Sequence, residues 1–133
     1  MSLIYCLTIP TVFGNSLYRV TEDTYIGANR QYGCGLEYGD QTAKVVTNAD
    51  VTQMQTVIAA AAAAGKNYFW LGGAYDSTLN TYVWDDDGSV IDSTLFYDGE
   101  GVGGSGQPYV CIGTTFPGYP EFHDCSDSTG YYV

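Results

Sequence analysis

The sequence predicts a single α+β domain, in which helices come first and short strands and long loops fill the second half. Two observations support this class. Residues 48–64 carry apolar side chains at helical spacing, whereas the chain after residue 66 has short aromatic and β-branched runs separated by Gly, Asp and Ser. A chain of 133 residues, 45% of them hydrophobic, has the composition of one domain with a buried core, so residues 1–133 are expected to form a single unit.

The clearest element is the helix predicted from Asn48 to Ala64. Thr47 or Asn48 can cap its first turn, and Asp50 suits the positive end of the helix dipole. Gly65 provides a stop. The apolar residues that recur at helical spacing are Val51, Met54, Val57, Ile58 and Ala61. This face is expected to pack on the sheet.

A second, weaker helix is expected to begin after Thr21. Glu22 and Asp23 would fill its first turn, and Gly33 and Gly35 would end it. The residues predicted to share one face of this helix are Tyr25, Ala28 and Tyr32.

Five short runs rich in aromatic and β-branched residues are expected to form strands. They are Leu17–Val20, Tyr68–Leu71, Thr81–Trp84, Pro108–Ile112 and Gly130–Val133. Between the third and the fourth lies a Gly- and Asp-rich stretch, Asp85–Gln107. Loops of that length inside a compact domain usually carry function or move, so the binding region is expected there.

The charge balance excludes two classes of partner. Fifteen acidic residues face four Lys or Arg, which gives a net charge of −11 and no basic stripe. Nucleic acid and anionic membranes are therefore not expected as partners. The longest apolar run, Val57–Ala64, is too short to span a membrane.

The cysteines indicate the compartment. There are four, no CxxC pair occurs, and the single His leaves no zinc-binding spacing. Disulfide bonds in an oxidising, extracellular compartment are the preferred interpretation, with free buried thiols as the alternative.

Several segments, taken in order, resemble the motifs of C-type lectin-like domains. The segments that carry the resemblance are Gly39–Asn48, Phe69–Gly73, Tyr82–Ser89, Phe96–Glu100, Tyr109–Cys111, and Asp124–Cys125 followed by Gly130–Val133. The resemblance covers nearly the whole chain and implies two helices packed on small antiparallel sheets with a long loop region. It also implies that Trp70 and Trp84 are buried.

The resemblance also implies disulfide pairings. Cys111 and Cys125 are expected to join the two late strands. The closing cysteine of the family would follow Val133 and would usually pair with the position of Cys34, so Cys6, on a first strand beside the last strand, is the expected substitute.

The calcium chemistry of the family is only partly matched. Glu100 matches the Glu of the sugar-binding loop, but Gly101 and Val102 replace the usual Pro and Asn. Tyr109 stands close to where a carboxylate is expected. No cofactor is therefore expected, and the residues that would hold calcium if it were bound are Asp98, Glu100 and Asp124.

The predicted function is non-catalytic recognition of a glycan or protein by the loops between Tyr75 and Asp124. Tyrosines provide rigid contact surfaces at low entropic cost, although about half of them are expected to be core. The expected ligand-binding residues are Tyr75, Tyr82, Tyr97, Glu100, Tyr109 and Tyr119. The alternatives are a calcium-dependent lectin with a rebuilt site and a structural protein that binds mineral, ice or matrix. His123 beside Asp124 is compatible with acid–base catalysis, but no nucleophile motif accompanies them, and no enzyme activity is expected.

Overall fold

The computed structural model describes residues 6–7, 18–39, 41–127 and 130–133. It contains two α-helices, α1 (Arg30–Tyr38) and α2 (Asn48–Ala63). The strands are β1 (Cys6–Leu7), β2 (Tyr18–Arg19), β3 (Gln41–Thr42), β4 (Tyr68–Asp76), β5 (Thr81–Trp84), β6 (Tyr109–Gly113) and β7 (His123–Cys125). The α+β class and the two helices are confirmed.

The strands form two antiparallel sheets. A small sheet has the order β2-β1-β3, and a larger one has the order β5-β4-β6-β7. The prediction that the first strand lies beside the last strand is wrong for the described pairings, because β1 pairs with β2 and β3. The larger sheet positions the loops described below.

Helix α2 forms where the sequence predicts it. The Thr47 side chain accepts a hydrogen bond from the Asp50 amide at 3.1 Å, and the Asp50 carboxylate accepts one from the Thr47 amide at 3.0 Å. This capping box fixes the start of the helix. The buried face carries Met54, Val57, Ile58 and Ala61, all members of the predicted apolar stripe.

The predicted start and end of the first helix are wrong. Residues 21–26 are not helical, because Tyr25 exchanges backbone hydrogen bonds of 2.7 and 3.0 Å with Tyr131. Helix α1 begins only at Arg30, after a 3₁₀ turn at Gly27–Asn29. Gly33 lies inside the helix, where a Cβ atom would come within 2.5 Å of the Tyr25 ring, so glycine there permits close packing rather than ending the helix.

Four of the five predicted strands coincide with observed strands and differ from them at most in extent. Thr81–Trp84 is reproduced, and the run that begins at Tyr68 continues to Asp76. The C-terminal run forms only isolated bridges, in which Tyr131 pairs with Tyr25 and Tyr132 with Phe69. Strand β7 was not among the five predicted runs, although the lectin resemblance placed Asp124–Cys125 in the closing strands.

The core confirms the two tryptophans as anchors, since Trp70 is fully buried and Trp84 is 3% exposed. The Cys111–Cys125 disulfide joins β6 and β7 as predicted. Cys34 is buried and disulfide-bonded, but the predicted Cys6–Cys34 pairing lies outside what the structure describes, because the Cys6 side chain is not among the described groups. In the described part of the chain, no helix has the length and hydropathy needed to cross a membrane.

Candidate functional site

The β5–β6 loop, residues 85–108, is attached to the large sheet by a few apolar side chains. Ile91 is 2% exposed, and Phe96 is 8% exposed. The Phe96 ring meets the Phe122 ring edge-on at 5.8 Å between centroids, and Phe122 meets Trp84 in the same way at 6.0 Å. These contacts fix the base of the loop and leave its later half, residues 97–107, to be held by polar groups.

The first polar contact is made by Asp124, which we call the Asp124 joint. Its side chain is almost fully buried, at 3% exposure, on β7. Its Oδ2 atom accepts a 2.6 Å hydrogen bond from the Gly103 amide and lies 3.1 Å from the Tyr82 hydroxyl. A Cβ atom at position 103 would lie 2.9 Å from this carboxylate oxygen, so glycine allows the backbone to approach so closely.

Tyr82 belongs to the same joint. It is buried at 2% exposure, and its hydroxyl lies 2.7 Å from the carbonyl oxygen of Gln107 as well. Burial, followed by the charge of Asp124, raises the pKa of the Tyr82 phenol above its ordinary value. Tyr82 therefore keeps its proton and can donate to Gln107 at one end of the glycine-rich segment 103–107, whereas Asp124 binds the Gly103 amide at the other end.

The second polar contact pairs His123 with Glu100, and we call it the His123 joint. His123 Nδ1 lies 2.9 Å from Glu100 Oε1, and Nε2 lies 2.8 Å from the carbonyl oxygen of Pro117. Both partners are acceptors, so each contact is made by a ring nitrogen that carries a proton. The ring is stacked on Tyr97 at 5.3 Å between centroids and is tilted against Phe116 at 4.9 Å.

The three residues named as calcium ligands are thus placed in different surroundings. Glu100 faces the His123 ring, Asp124 faces the Gly103 amide, and Asp98 is exposed. Among the residues that the structure describes, no three His, Cys, Asp or Glu side chains are grouped as a metal site. The donors that a calcium ion would displace from Glu100 and Asp124 come from the protein itself.

The five predicted ligand-binding tyrosines are also in different surroundings. Tyr82 is in the core, and Tyr97 is stacked on His123. Tyr109 lies under the Arg30 guanidinium, 4.4 Å from ring centre to Cζ, and Tyr119 packs against the core, which raises its pKa through burial. Of the five, Tyr75 and Tyr82 are the two brought together in a cleft.

The cleft, which we call the loop cleft, has a volume of about 270 Å³. It is lined by Tyr75, Asn80, Thr81, Tyr82, Gly101, Val102 and Gly104. The Tyr75 hydroxyl donates to the Asn80 side-chain oxygen, and Asn80 is the one residue other than glycine that the structure describes with a positive φ, of 57°. Val102 at the rim is 81% exposed. Together they form an aromatic floor with an amide and an apolar rim, a composition typical of recognition sites.

The sequence did not identify Asn80 and Thr81, or Val102 as a rim residue. Their signal in the sequence is weak, because Asn80 lies in the turn between two predicted strands, Thr81 is the first residue of the second, and Val102 stands where the calcium motif of the family has another residue. The turn between Thr81–Trp84 and the preceding strand brings them to the loop, and that placement depends on the pairing of β4 with β5.

Two antiparallel sheets, two helices and a long loop anchored beside a disulfide define the C-type lectin-like fold, which the chain adopts. Among solved structures, human lithostathine matches with a TM-score of 0.62 and 15% identity, over 86% of this chain and 85% of that one. The calcium-free form of a Ca²⁺-dependent type II antifreeze protein matches with a TM-score of 0.63 and 16% identity, over 86% and 85%. No protein-family model and no curated protein sequence matches the chain. The similarity to these structures is therefore a similarity of fold.

Proposed function

We propose that the protein is a non-catalytic, extracellular recognition module that binds a glycan or protein ligand at the loop cleft without calcium in the loop. The observation that carries the proposal is the use of Glu100 and Asp124. In this arrangement both carboxylates hold protein donors, namely the His123 ring and the Gly103 amide. The loop is therefore organised before any ligand or ion arrives, which lowers the entropic cost of binding.

The cleft itself suits a ligand that has both apolar and polar faces. The half-buried Tyr75 ring offers a flat apolar surface, Val102 extends that surface at the rim, and Asn80 supplies an amide. Aromatic rings combined with a few polar groups are the usual means of recognising sugars and peptide side chains alike.

Binding to an array of glycans and secreted proteins, with and without a calcium chelator, tests the proposal. We expect the same ligands to be bound in both conditions. Val102→Asp should abolish binding, whereas Val90→Asp should leave it unchanged, because Val90 is also exposed, at 58%, but does not line the cleft. Binding that the chelator removes, or that both variants lose equally, would contradict the proposal.

A calcium-dependent alternative is favoured by one comparison, since one matching structure is of a protein described as Ca²⁺-dependent. In that case calcium would have to displace His123 from Glu100 or Gly103 from Asp124. The chelator arm of the same experiment separates the two functions, and a surface-binding function for ice or mineral would appear as adsorption without binding to any soluble ligand.

A further inference from the structure

The positive charges of the chain all precede the segments that form the loop cleft. Every Lys and Arg lies before residue 67, whereas ten of the fifteen acidic residues lie after it. Residues 67–133 therefore contain ten carboxylates and no basic side chain other than His123. A field of one sign acts over about 8–10 Å at physiological ionic strength, so this half of the chain attracts cations and repels anions.

The carboxylates of this half fall into two groups with different partners. At the start of the β5–β6 loop, Arg30 and Lys44 pair with the carboxylates of residues 85–87 at 2.6 to 3.2 Å. Among the described residues, no Lys or Arg forms an ion pair with Asp76 or Asp124. The charge of this second group is therefore not neutralised by a basic side chain of the described part of the chain.

The second group borders the loop cleft. Asp76 and Glu100 are each the chain neighbour of a residue that lines the cleft, so their Cα atoms lie about 3.8 Å from a lining residue. The Asp124 carboxylate lies 3.1 Å from the hydroxyl of Tyr82, which also lines the cleft. Although Glu100 also faces the His123 ring, all three carboxylates lie within about one Debye length of whatever occupies the cleft.

The interior of the cleft presents groups that suit a cation directly. The Tyr75 ring is half-buried and meets the Tyr82 ring edge-on at 5.5 Å between centroids. The face of such a ring attracts an ammonium or guanidinium group. The Tyr75 hydroxyl donates its only hydrogen to the Asn80 side-chain oxygen, so both oxygens keep lone pairs that can accept from a ligand N–H.

The chain itself holds two of its cations in this way. The Arg30 Cζ atom lies 4.4 Å from the centre of the Tyr109 ring, and the same guanidinium donates to Asp85. Lys66 Nζ lies 4.9 Å from the centre of the Tyr132 ring. The loop cleft combines a tyrosine ring with nearby carboxylates as the Arg30 site does, and no Lys or Arg lines it.

We infer that the loop cleft binds one arginine side chain of a protein partner, an inference that rests on the proposed function and names the ligand class of that site. The cleft volume of about 270 Å³ lies below the roughly 300–1,000 Å³ of small-molecule sites and suits a single anchoring side chain. The planar guanidinium stacks on the Tyr75 ring and donates to the oxygens of Tyr75 and Asn80. The aliphatic part of the arginine packs on Val102 at the rim.

Two-dimensional amide NMR of the full chain tests the inference on the wild-type protein. The probes are blocked pentapeptides of glycine with a central arginine, citrulline or glutamate, and methyl β-glucopyranoside is the neutral sugar. We expect the arginine peptide to give saturable shifts at the amides of Thr81, Val102 and Gly104. Citrulline has the shape of arginine without its charge, so its peptide should bind about fivefold more weakly. The glutamate peptide should not bind.

Two variants and a matched control locate the binding. Asp76→Asn removes a charge beside the cleft and keeps the oxygen that accepts from the amides of Thr78 and Leu79. It should weaken binding of the arginine peptide about twofold and leave the citrulline peptide unchanged. Tyr75→Leu removes the ring and should weaken the arginine peptide about fivefold. The control is Asp50→Asn, whose oxygen likewise accepts from two backbone amides, at the start of α2 and outside the cleft lining, and it should change neither affinity.

Three results would overturn the inference and leave the proposed recognition function standing. They are equal affinity for the arginine and citrulline peptides, tighter binding of the sugar at the same amides, and shifts confined to residues 85–87. Equal losses in Asp76→Asn and Asp50→Asn would also overturn it, because they would show an effect of net charge alone. Absence of shifts with every probe overturns it too, and the proposed function fails as well only if the array of glycans and secreted proteins yields no ligand.

Discussion

The helix-bearing core and the β5–β6 loop are held together by different interactions. In the core, Met54 and Ile58 of α2 and Phe69 and Leu71 of β4 are completely buried. The core is therefore stabilised by the burial of apolar surface. In residues 97–107 of the loop, no apolar side chain is described as buried, and the Asp124 and His123 joints provide the attachment. Apolar packing spreads its stabilisation over many contacts, whereas a polar joint concentrates it in one buried group.

Three side chains that carry nitrogen donors also attach the loop. Arg30 binds Asp85, Lys44 binds Asp86 and Asp87, and His123 faces Glu100. Each of these contacts ties the loop, or the strand next to it, to the rest of the domain. In a chain with a net charge of −11, Arg30 and Lys44 thus lie beside the acidic start of the loop, whereas Lys66 lies 4.0 Å from Glu22, outside the loop.

The largest effect is expected from a core truncation. Ile58→Ala removes buried methylene groups beneath the sheet and should lower the free energy of unfolding by about 2–5 kcal/mol. Urea denaturation measures it. Thr56→Ala on the exposed face of the same helix is the control and should change stability by less than about 0.5 kcal/mol. Equal effects for the two variants would mean that α2 does not pack as described.

Removal of the Asp124 joint is expected to have a smaller and more local effect. Asp124→Ala leaves the Gly103 amide without its acceptor, whereas the Tyr82 hydroxyl can still donate to the Gln107 carbonyl oxygen, and the change should cost about 1–3 kcal/mol. Hydrogen exchange of the Gly103 amide should accelerate more than exchange in α2, because the loop opens without global unfolding. Asp98→Ala, at an exposed carboxylate of the same loop, is the matched control and should do neither. Unchanged exchange at Gly103 would refute the joint.

The alkaline side of the stability curve reports on Tyr82 and Tyr18. Burial raises the pKa of both phenols. The folded state therefore binds the phenol protons more tightly than the unfolded chain does. The contribution of the two tyrosines to the free energy of unfolding is complete below about pH 10 and is lost as the pH rises above that value. Tyr82→Phe should make the loss less steep, by up to about 1.4 kcal/mol per pH unit. The free energy of unfolding is measured for both proteins between pH 8 and 11. The expectation is contradicted if it falls equally steeply with pH in the wild type and in Tyr82→Phe.

The sequence predicted the parts of the molecule that depend on periodicity. Helix α2 and strand β5 follow from spacing and turn residues alone, and the lectin resemblance supplied the Cys111–Cys125 pairing. The start of α1 was missed because Glu22 and Asp23 look like a first helical turn, while the backbone pairing of Tyr25 with Tyr131 is a contact between distant residues. Long-range pairing overrides local helix signals there.

The polar joints were harder to predict than the helices. Glu100 and Asp124 were both named, but as calcium ligands, because nothing in their local sequence shows that His123 and Gly103 face them. The contact between Arg30 and Asp85 was not predicted at all, since the two residues lie in different elements. Sites of this kind become visible only when the hydrogen-bond donors and acceptors of a folded chain are counted.

The central claim is that protein donors, rather than calcium, hold the β5–β6 loop. Thermal unfolding in chelator and in millimolar calcium tests it directly, because an ion that binds only the folded state must raise the melting temperature. We expect the melting temperatures in chelator and in calcium to agree within about 1 °C. The melting temperature of Glu100→Gln should likewise be the same in both solutions. A rise of several degrees in calcium that saturates at micromolar concentrations, and that Glu100→Gln or Asp124→Ala abolishes, would contradict the claim.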